Sequence, residues 1–216
     1  MTDKRGKFIT FEGGDGCGKS TQIKLAVQWL RDSGADFLFT REPGGTLIGE
    51  EIRNLLLDPE NDEMTDMTEM LLYASARAQL AREIIEPALA AGKDVVCDRW
   101  ADSSIVYQGM ARGLGESVRV VNTIAAGDLF SPDATILLDL DPEESLKRAA
   151  GEAGGGDRIE SLGIEYQKKV REAYLELAAG EKDRIYIIDA RGSREEVHER
   201  VRTVMTDIMS GAVRNV

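Results

Sequence analysis

Five short apolar runs, Phe8–Phe11, Phe37–Thr40, Asp94–Cys97, Ala134–Leu140 and Ile185–Ile188, recur along the 216-residue chain, each edged by turn residues. Runs this short and this rich in Val, Ile, Leu and Phe read as buried strands. Between them, helical patterns run over about residues 19–33, 47–57, 66–91, 115–127, 142–150, 161–180 and 193–210. In the last, Val197, Val201, Val204 and Ile208, with Met205, recur at helical spacing and would face the sheet. Strands apolar throughout and separated by helices predict a five-stranded parallel sheet covered by helices on both faces. With only 5 prolines and no repeat or linker, residues 1–216 are expected to form one α/β domain of three layers.

One segment stands apart in composition, Ala149-Ala150-Gly151-Glu152-Ala153-Gly154-Gly155-Gly156. Consecutive glycines cannot sit cheaply in either flanking helix. Two readings are open for about residues 149–157: a plain connection, or a lid that closes over a ligand.

Composition narrows the function classes. Acidic residues number 39 and basic ones 27, a net charge of −12, which argues against a broad face for a nucleic acid polymer. A small nucleotide, needing a few cations in one pocket, stays compatible. Two cysteines, Cys17 and Cys97, make no disulfide framework and stand in no metal-ligand spacing. The single His198, in an amphipathic C-terminal stretch, reads as a solvated helix residue rather than part of a triad or metal site. No uncharged apolar run approaches the roughly 18 residues of a membrane span. The run after the charged N-terminus is too short for a signal peptide, so the cytoplasm is the expected location.

Gly13-Gly14-Asp15-Gly16-Cys17-Gly18-Lys19-Ser20 fits G-x-x-x-x-G-K-[ST] and follows the first strand directly. Glycines let the backbone turn its N–H groups toward phosphate oxygens, and the helix N-terminus adds positive charge. Lys19 would place a full charge on the β/γ-phosphates of ATP, and Ser20 would offer its hydroxyl to Mg²⁺. No Asn-Lys-x-Asp, which a guanine-specific switch would need, occurs in the chain. The loop alone leaves ATPases, kinases and a non-turnover nucleotide switch open.

Arg41, Arg53, Arg77, Arg99 and Arg158 fall in loops or at element ends. Arg41 and Arg99 follow strands, whose carboxyl ends line the ligand crevice of an open parallel sheet; two guanidiniums there could clamp a second phosphate. Asp98 ends the third strand, where an acid can hold Mg²⁺ through water or orient the acceptor. Asp139 and Asp141 compete for that role, although Asp141-Pro142 looks more like a helix start.

Several blocks give the chain its resemblance to the thymidylate kinase family, bacterial type. They are Phe11–Thr21 around the glycine-rich loop, Thr40-Arg41-Glu42-Pro43-Gly44-Gly45-Thr46, Glu51-Ile52-Arg53, Tyr73-Ala74-Ser75-Ala76-Arg77 and Asp98-Arg99-Trp100. Ser103-Ser104, Tyr107-Gln108-Gly109, Asp157-Arg158-Ile159-Glu160 and Tyr174-Leu175-Glu176-Leu177 extend it over essentially the whole chain. The resemblance implies a P-loop kinase fold and Mg²⁺-dependent transfer of a phosphoryl group from ATP to dTMP. It implies that Gly13, Gly14, Asp15, Gly16, Cys17, Gly18, Lys19, Ser20 and Thr21 cradle ATP, that Ser20 and Asp98 serve the metal, and that the enzyme is a homodimer. Asp15 would accept a hydrogen bond from the deoxyribose 3′-hydroxyl. Arg53 and Arg99 would hold the dTMP phosphate with support from Arg41. Tyr73 would stack on thymine, Arg77 would donate to a thymine carbonyl, and Ser104 and Gln108 would read the base edge. Tyr107 would crowd the ribose 2′ position.

The family's bacterial type supplies charge from lid arginines, yet the segment from Ala149 to Gly156 holds none. Either Arg148 or Arg158, at its two ends, takes that role, or Lys19, Mg²⁺ and Arg99 carry the transition-state charge. Arg158 is favoured, because it lies in a family block while Arg148 also suits a helix C-terminus.

Overall fold

The computed structural model describes residues 5–149 and 162–211. The strands β1 (Phe8–Gly13), β2 (Phe37–Arg41), β3 (Asp94–Asp98), β4 (Ala134–Asp139) and β5 (Ile185–Asp189) form one parallel sheet in the order β2-β3-β1-β4-β5. Phe11 stands level with Asp98 on one side and Ile136 on the other, so the carboxyl ends of the three central strands open along one rim.

Helices cover both faces, as a sheet apolar on both sides requires. On one face, Ile23 and Leu30 of α1 (Lys19–Asp32) and Val201 and Met205 of α9 (Arg194–Ser210) pack on Ile9, Phe11, Ile136 and Leu138. A capping box between Ser193 and Glu196 starts α9. On the other face, Phe8, Val95 and Cys97 meet Leu80, Ile85 and Trp100, while Leu137 meets Tyr107, Val170 and Tyr174. Each fully buried Ile, Leu or Phe contributes about 1.5–3 kcal/mol by leaving water. The expectation of full burial fails at the sheet's edges. Phe39 in β2 and Ile187 in β5 are 43% and 50% exposed, because an edge strand lacks a neighbour and a complete helical cover.

The remaining helices follow expectation with two differences. After α2 (Leu47–Leu57) comes α3 (Asp66–Leu80), which passes through a π-helical turn, Ala81–Ile85, into α4 (Glu86–Ala90). Pro87 has no N–H for the carbonyl four residues before it, and the wider turn accommodates that loss. The second difference is a helix that no hydrophobic periodicity reveals. Chain leaving β3 forms α5 (Ala101–Ser104) and a π-helical stretch, Ile105–Ala111. Ala101, Asp102 and the run from Ser104 to Gly109 are buried, so no continuous polar stripe betrays the helix. Asp102 anchors it by accepting from both Nη atoms of Arg184, at 2.7 and 2.8 Å.

Three further α-helices precede α9: α6 (Glu116–Ala126), α7 (Pro142–Ala149) and α8 (Ile164–Gly180). Asp141 accepts from the Glu143 amide at 2.9 Å, the helix-start role expected of it. His198 on α9 is partly buried rather than freely solvated, and burial lowers its pKa. Among the described residues, no helix is long and apolar enough to cross a membrane.

Candidate active site

The strand order places a switch point beside β1. The chain leaves β1 toward β2 on one side, whereas it leaves β3 toward β4 on the other. The loops after β1 and β3 therefore part company and leave a crevice, the position where open α/β sheets bind ligands. A cleft of about 780 Å³ opens there, a size suited to small-molecule substrates. Every residue from Gly14 to Gln22 lines it, together with Arg41, Arg53, Tyr73, Asp98, Arg99, Ser104, Tyr107, Gln108 and Arg148.

The loop after β1 is shaped by its glycines. Gly13 has φ +148°, and a Cβ there would come within 2.7 Å of the Leu138 carbonyl oxygen. Gly18, at φ 89° and ψ 10°, caps α1 in the left-handed conformation, so the helix N-terminus faces the cleft. Lys19 and Asp98 form an ion pair across the crevice, Nζ to Oδ1. Ser20 and Thr21 lie exposed in the first turn of α1. Cys17 is buried, and burial raises its thiol pKa, so it packs the loop rather than offering a thiolate.

Arg99 is the one non-glycine residue with positive φ among those described, at 67°. That left-handed conformation costs about 1–2 kcal/mol and needs fixing by its surroundings. Its amide donates to the Phe11 carbonyl at 3.0 Å, and the following Trp100 amide donates to Glu12 Oε1 at 2.8 Å. The guanidinium then donates to Asp15 Oδ1 at 3.0 Å and to the Tyr174 hydroxyl at 3.3 Å, and lies 5.3 Å from the centre of the Tyr107 ring. Gln167 Nε2 donates to the other Asp15 oxygen at 2.7 Å.

Beneath Arg99 lies Glu12, fully buried. Its Oε2 accepts from the Ser103 hydroxyl at 2.6 Å and the Tyr174 hydroxyl at 2.7 Å, with Arg99 Nη1 at 3.8 Å. Burial pushes its pKa up to about 7, and Arg99 offsets part of that rise. Glu12 and Tyr174 stood in blocks that carried the resemblance but had no assigned role. The available signal was Glu12 itself, a glutamate directly after the apolar run Phe8–Phe11, which cannot be buried without partners; Tyr174 carried none.

At the far end of the cleft, Tyr73 is partly buried and Ser104, Tyr107 and Gln108 are buried in its wall. The Tyr107 hydroxyl has no hydrogen-bond partner among the described residues, and burial raises its pKa strongly. Arg53 Nη1 donates to the Pro43 carbonyl at 3.0 Å, and Arg41 pairs with Glu50 at 2.7 Å.

Arg77 is placed differently from the other site residues expected from sequence. It is 0% exposed and is not among the described residues lining the cleft; it sits behind Ser104. Its guanidinium bonds to Glu42 Oε2 at 2.6 Å, to the Ser104 hydroxyl at 3.0 Å and to Asn122 Oδ1. Burial raises the Glu42 pKa, and Arg77 offsets part of the rise. Glu42 Oε1 and Arg77 Nε remain unpartnered among the described residues.

The rival acids separate clearly. Asp139 is engaged by Arg171 Nε and Nη2 at 2.7 and 3.0 Å, and Asp141 caps α7, which leaves Asp98 as the acid facing Lys19. Arg148 Nη1 donates to the Ala190 carbonyl at 3.1 Å on the cleft wall, where Gly192, Arg194 and Val197 were missed by sequence reading. Their turn and helix start carry a capping box, which marks a helix start but no ligand. Arg158 and most of the glycine-rich segment lie outside the described residues.

A model of the thymidylate kinase family matches residues 11–201. The chain belongs to the thymidylate kinase family. Thymidylate kinase of Caldanaerobacter subterraneus subsp. tengcongensis is 51% identical over 209 residues, covering 96% of this chain and 99% of that protein. That of Symbiobacterium thermophilum is 50% identical over 203 residues, covering 94% of each. That of Desulforapulum autotrophicum is 46% identical over 216 residues, covering 97% of this chain and 92% of that protein. The fold is accordingly the α/β P-loop kinase fold expected from sequence.

Membership fixes the activity: a nucleoside monophosphate kinase that transfers the γ-phosphoryl group of ATP to dTMP, giving dTDP and ADP, with Mg²⁺. The reading as a non-turnover switch falls away. The described residues hold no group of three or more His, Cys, Asp or Glu side chains arranged for a metal. That suits Mg²⁺, which leans on phosphate oxygens and water and needs only one or two protein oxygens; Ser20 and Asp98, both lining the cleft, carry oxygens of that kind.

Proposed function

We propose that transfer in this kinase is driven by positioning and electrostatics, with the work divided along the cleft. The loop from Gly13 to Thr21 cradles the ATP phosphates through backbone N–H groups, and Lys19 carries the cation on the β/γ-phosphates. Ser20 and Asp98 would hold Mg²⁺, which would supply neutralisation of the phosphate charge. Arg99 grips the dTMP phosphate with Arg53, and Arg41 supports them. Asp15, held at both oxygens by Arg99 and Gln167, meets the deoxyribose 3′-hydroxyl. Tyr73 stacks on thymine, and Ser104 and Gln108 read its edge. Arg77 serves the thymine site indirectly, donating to the Ser104 hydroxyl from behind and so fixing the group that reads the base edge. Tyr107 crowds the 2′ position. The acceptor is a phosphate oxygen already ionised near neutral pH, so no general base is needed.

Arg148 borders the ATP end of the cleft, and Arg158, directly after the lid of about residues 149–157, is the transition-state cation. Residues 1–216 act as one domain. Two copies associate through exposed apolar side chains on three helices packed side by side: Leu55 of α2, Leu71 of α3 and Ile124 of α6, at 52%, 47% and 77% exposure. The free thiols of Cys17 and Cys97 suit a reducing cytoplasm.

The observation carrying this reading is the meeting of Lys19, Asp98 and Arg99 at the switch point. Its test is Lys19→Ala in a coupled ADP-release assay. Loss of such preorganised charge lowers kcat roughly 10²–10³-fold, whereas near-wild-type kcat in the folded variant overturns the assignment. Light scattering on Leu71→Glu with Ile124→Glu tests the dimer, and an unchanged mass would refute that interface.

A further inference from the structure

Gln108 is 2% exposed in the cleft wall, and an amide in that position presents two different faces depending on which way it is turned. Its Nε2 donates to Glu69 Oε1 at 2.8 Å. Glu69, on α3 and 1% exposed, is an acceptor on every side shown: Arg112 donates to Oε1 through Nε at 2.9 Å and to Oε2 through Nη2 at 2.8 Å. Arg112 is itself fixed, with Nη1 on Asp66 Oδ1 at 2.9 Å and its guanidinium 5.7 Å from the centre of the Tyr166 ring. A carboxylate has no proton to donate. Turning the Gln108 amide would set two oxygens against each other inside a buried site, at the cost of a lost bond and an unpaired acceptor.

The orientation has a consequence for the base. With Nε2 committed to Glu69, Gln108 keeps Oε1 as an acceptor and the second Nε2–H as a donor. Thymine presents an acceptor at O4 beside a donor at N3–H. Cytosine presents the reverse, a donor at N4 and an acceptor at N3. For a base placed with its 4-position toward Nε2 and N3 toward Oε1, the fixed amide is complementary to thymine and uracil, and the turned amide would be complementary to cytosine.

We propose that Glu69 is a positioning residue for pyrimidine selection: its carboxylate, clamped by Arg112, holds the Gln108 amide in the polarity that accepts a 4-oxo pyrimidine and rejects a 4-amino one. This rests on the reading of Gln108 as a base-edge residue. Glu69 touches no substrate; it acts through Gln108.

The test compares kcat/KM for dTMP, dUMP and dCMP at saturating ATP in wild type, Glu69→Gln, Gln108→Leu and Glu69→Gln combined with Arg112→Leu. Gln at position 69 can accept or donate, so both amide orientations become available. The expected result is a dTMP-over-dCMP preference narrowed about tenfold, mainly through faster dCMP use, at unchanged KM for ATP. The preference for dTMP over dUMP, which share the same edge, should not change. A merely structural role would lower all three substrates together. Thermal unfolding checks each variant, and the double variant, which removes both charges of the pair, carries the test if the single one unfolds. Gln108→Leu separates the two ideas. If it leaves KM for dTMP unchanged, Gln108 does not read the base, and the inference falls with that reading. If it raises KM while the folded Glu69 variants keep the wild-type preference, Gln108 reads the base and only the orienting role of Glu69 is overturned.

Discussion

Replacing Glu12 by Gln should make the protein's stability less sensitive to pH, by an amount that follows from where this carboxyl sits. Glu12 has 0% exposure, and burial lifts its pKa from the ordinary 4.5 to about 7. Between those values the folded protein keeps a proton that the unfolded chain has released. The folded state then binds more protons, and stability falls as pH rises through the window. At about 1.4 kcal/mol per pK unit, weighted by the two titrations, the wild type loses about 2 kcal/mol between about pH 5.5 and about pH 8 on account of this group.

Gln has nearly the same volume and can still accept from the Trp100 amide, but it carries no charge. Urea unfolding of both proteins at the two pH values gives the difference directly, because the other titrating groups are common to both. Relative to wild type, Glu12→Gln should gain about 2 kcal/mol on going from the lower pH to the higher. A difference constant to within about 0.5 kcal/mol would show Glu12 titrating in the ordinary carboxylate range, and would falsify the account of a buried carboxyl held only partly by Arg99.

Arg77→Ala should cost about 3–5 kcal/mol of stability in thermal or urea unfolding, because it strands the Glu42 carboxyl, buried at 3% exposure. Arg77→Met combined with Glu42→Gln should recover much of that loss, while kcat/KM for dTMP stays roughly 10–200-fold down at unchanged KM for ATP; a loss falling on ATP instead would refute the thymine role. Arg158→Ala should lower kcat and kcat/KM together with KM nearly constant, and full kcat in both the Arg148 and Arg158 variants would leave Lys19, Arg99 and Mg²⁺ to suffice. Ser193→Ala should cost about 1 kcal/mol by removing the capping box of α9, measured as a lowered urea midpoint without loss of kcat.

Local and periodic signals in the chain determined much of this protein. The five strands fell where short apolar runs end at turn residues, because a strand buried by helices leaves its composition in the sequence. The phosphate loop was legible because its glycines, lysine and serine are contiguous and their chemistry depends on that spacing. Asp141-Pro142 announced a helix start for the same local reason.

What the chain order could not show are pairings between distant residues. The helix through Ala101–Ala111 is enclosed over much of its surface, so its polar stripe vanished and only tertiary packing revealed it. Arg77 looked like a cleft residue from its spacing to Tyr73; the fold instead paired it with Glu42, 35 positions away, and set it behind Ser104. The left-handed Arg99 depends on Glu12 and Phe11 from a neighbouring strand, and the polarity of Gln108 depends on Glu69, 39 positions distant. The apolar residues of α2, α3 and α6 formed no stripe in the sequence. They face solvent on neighbouring helices only because packing brought those helices side by side.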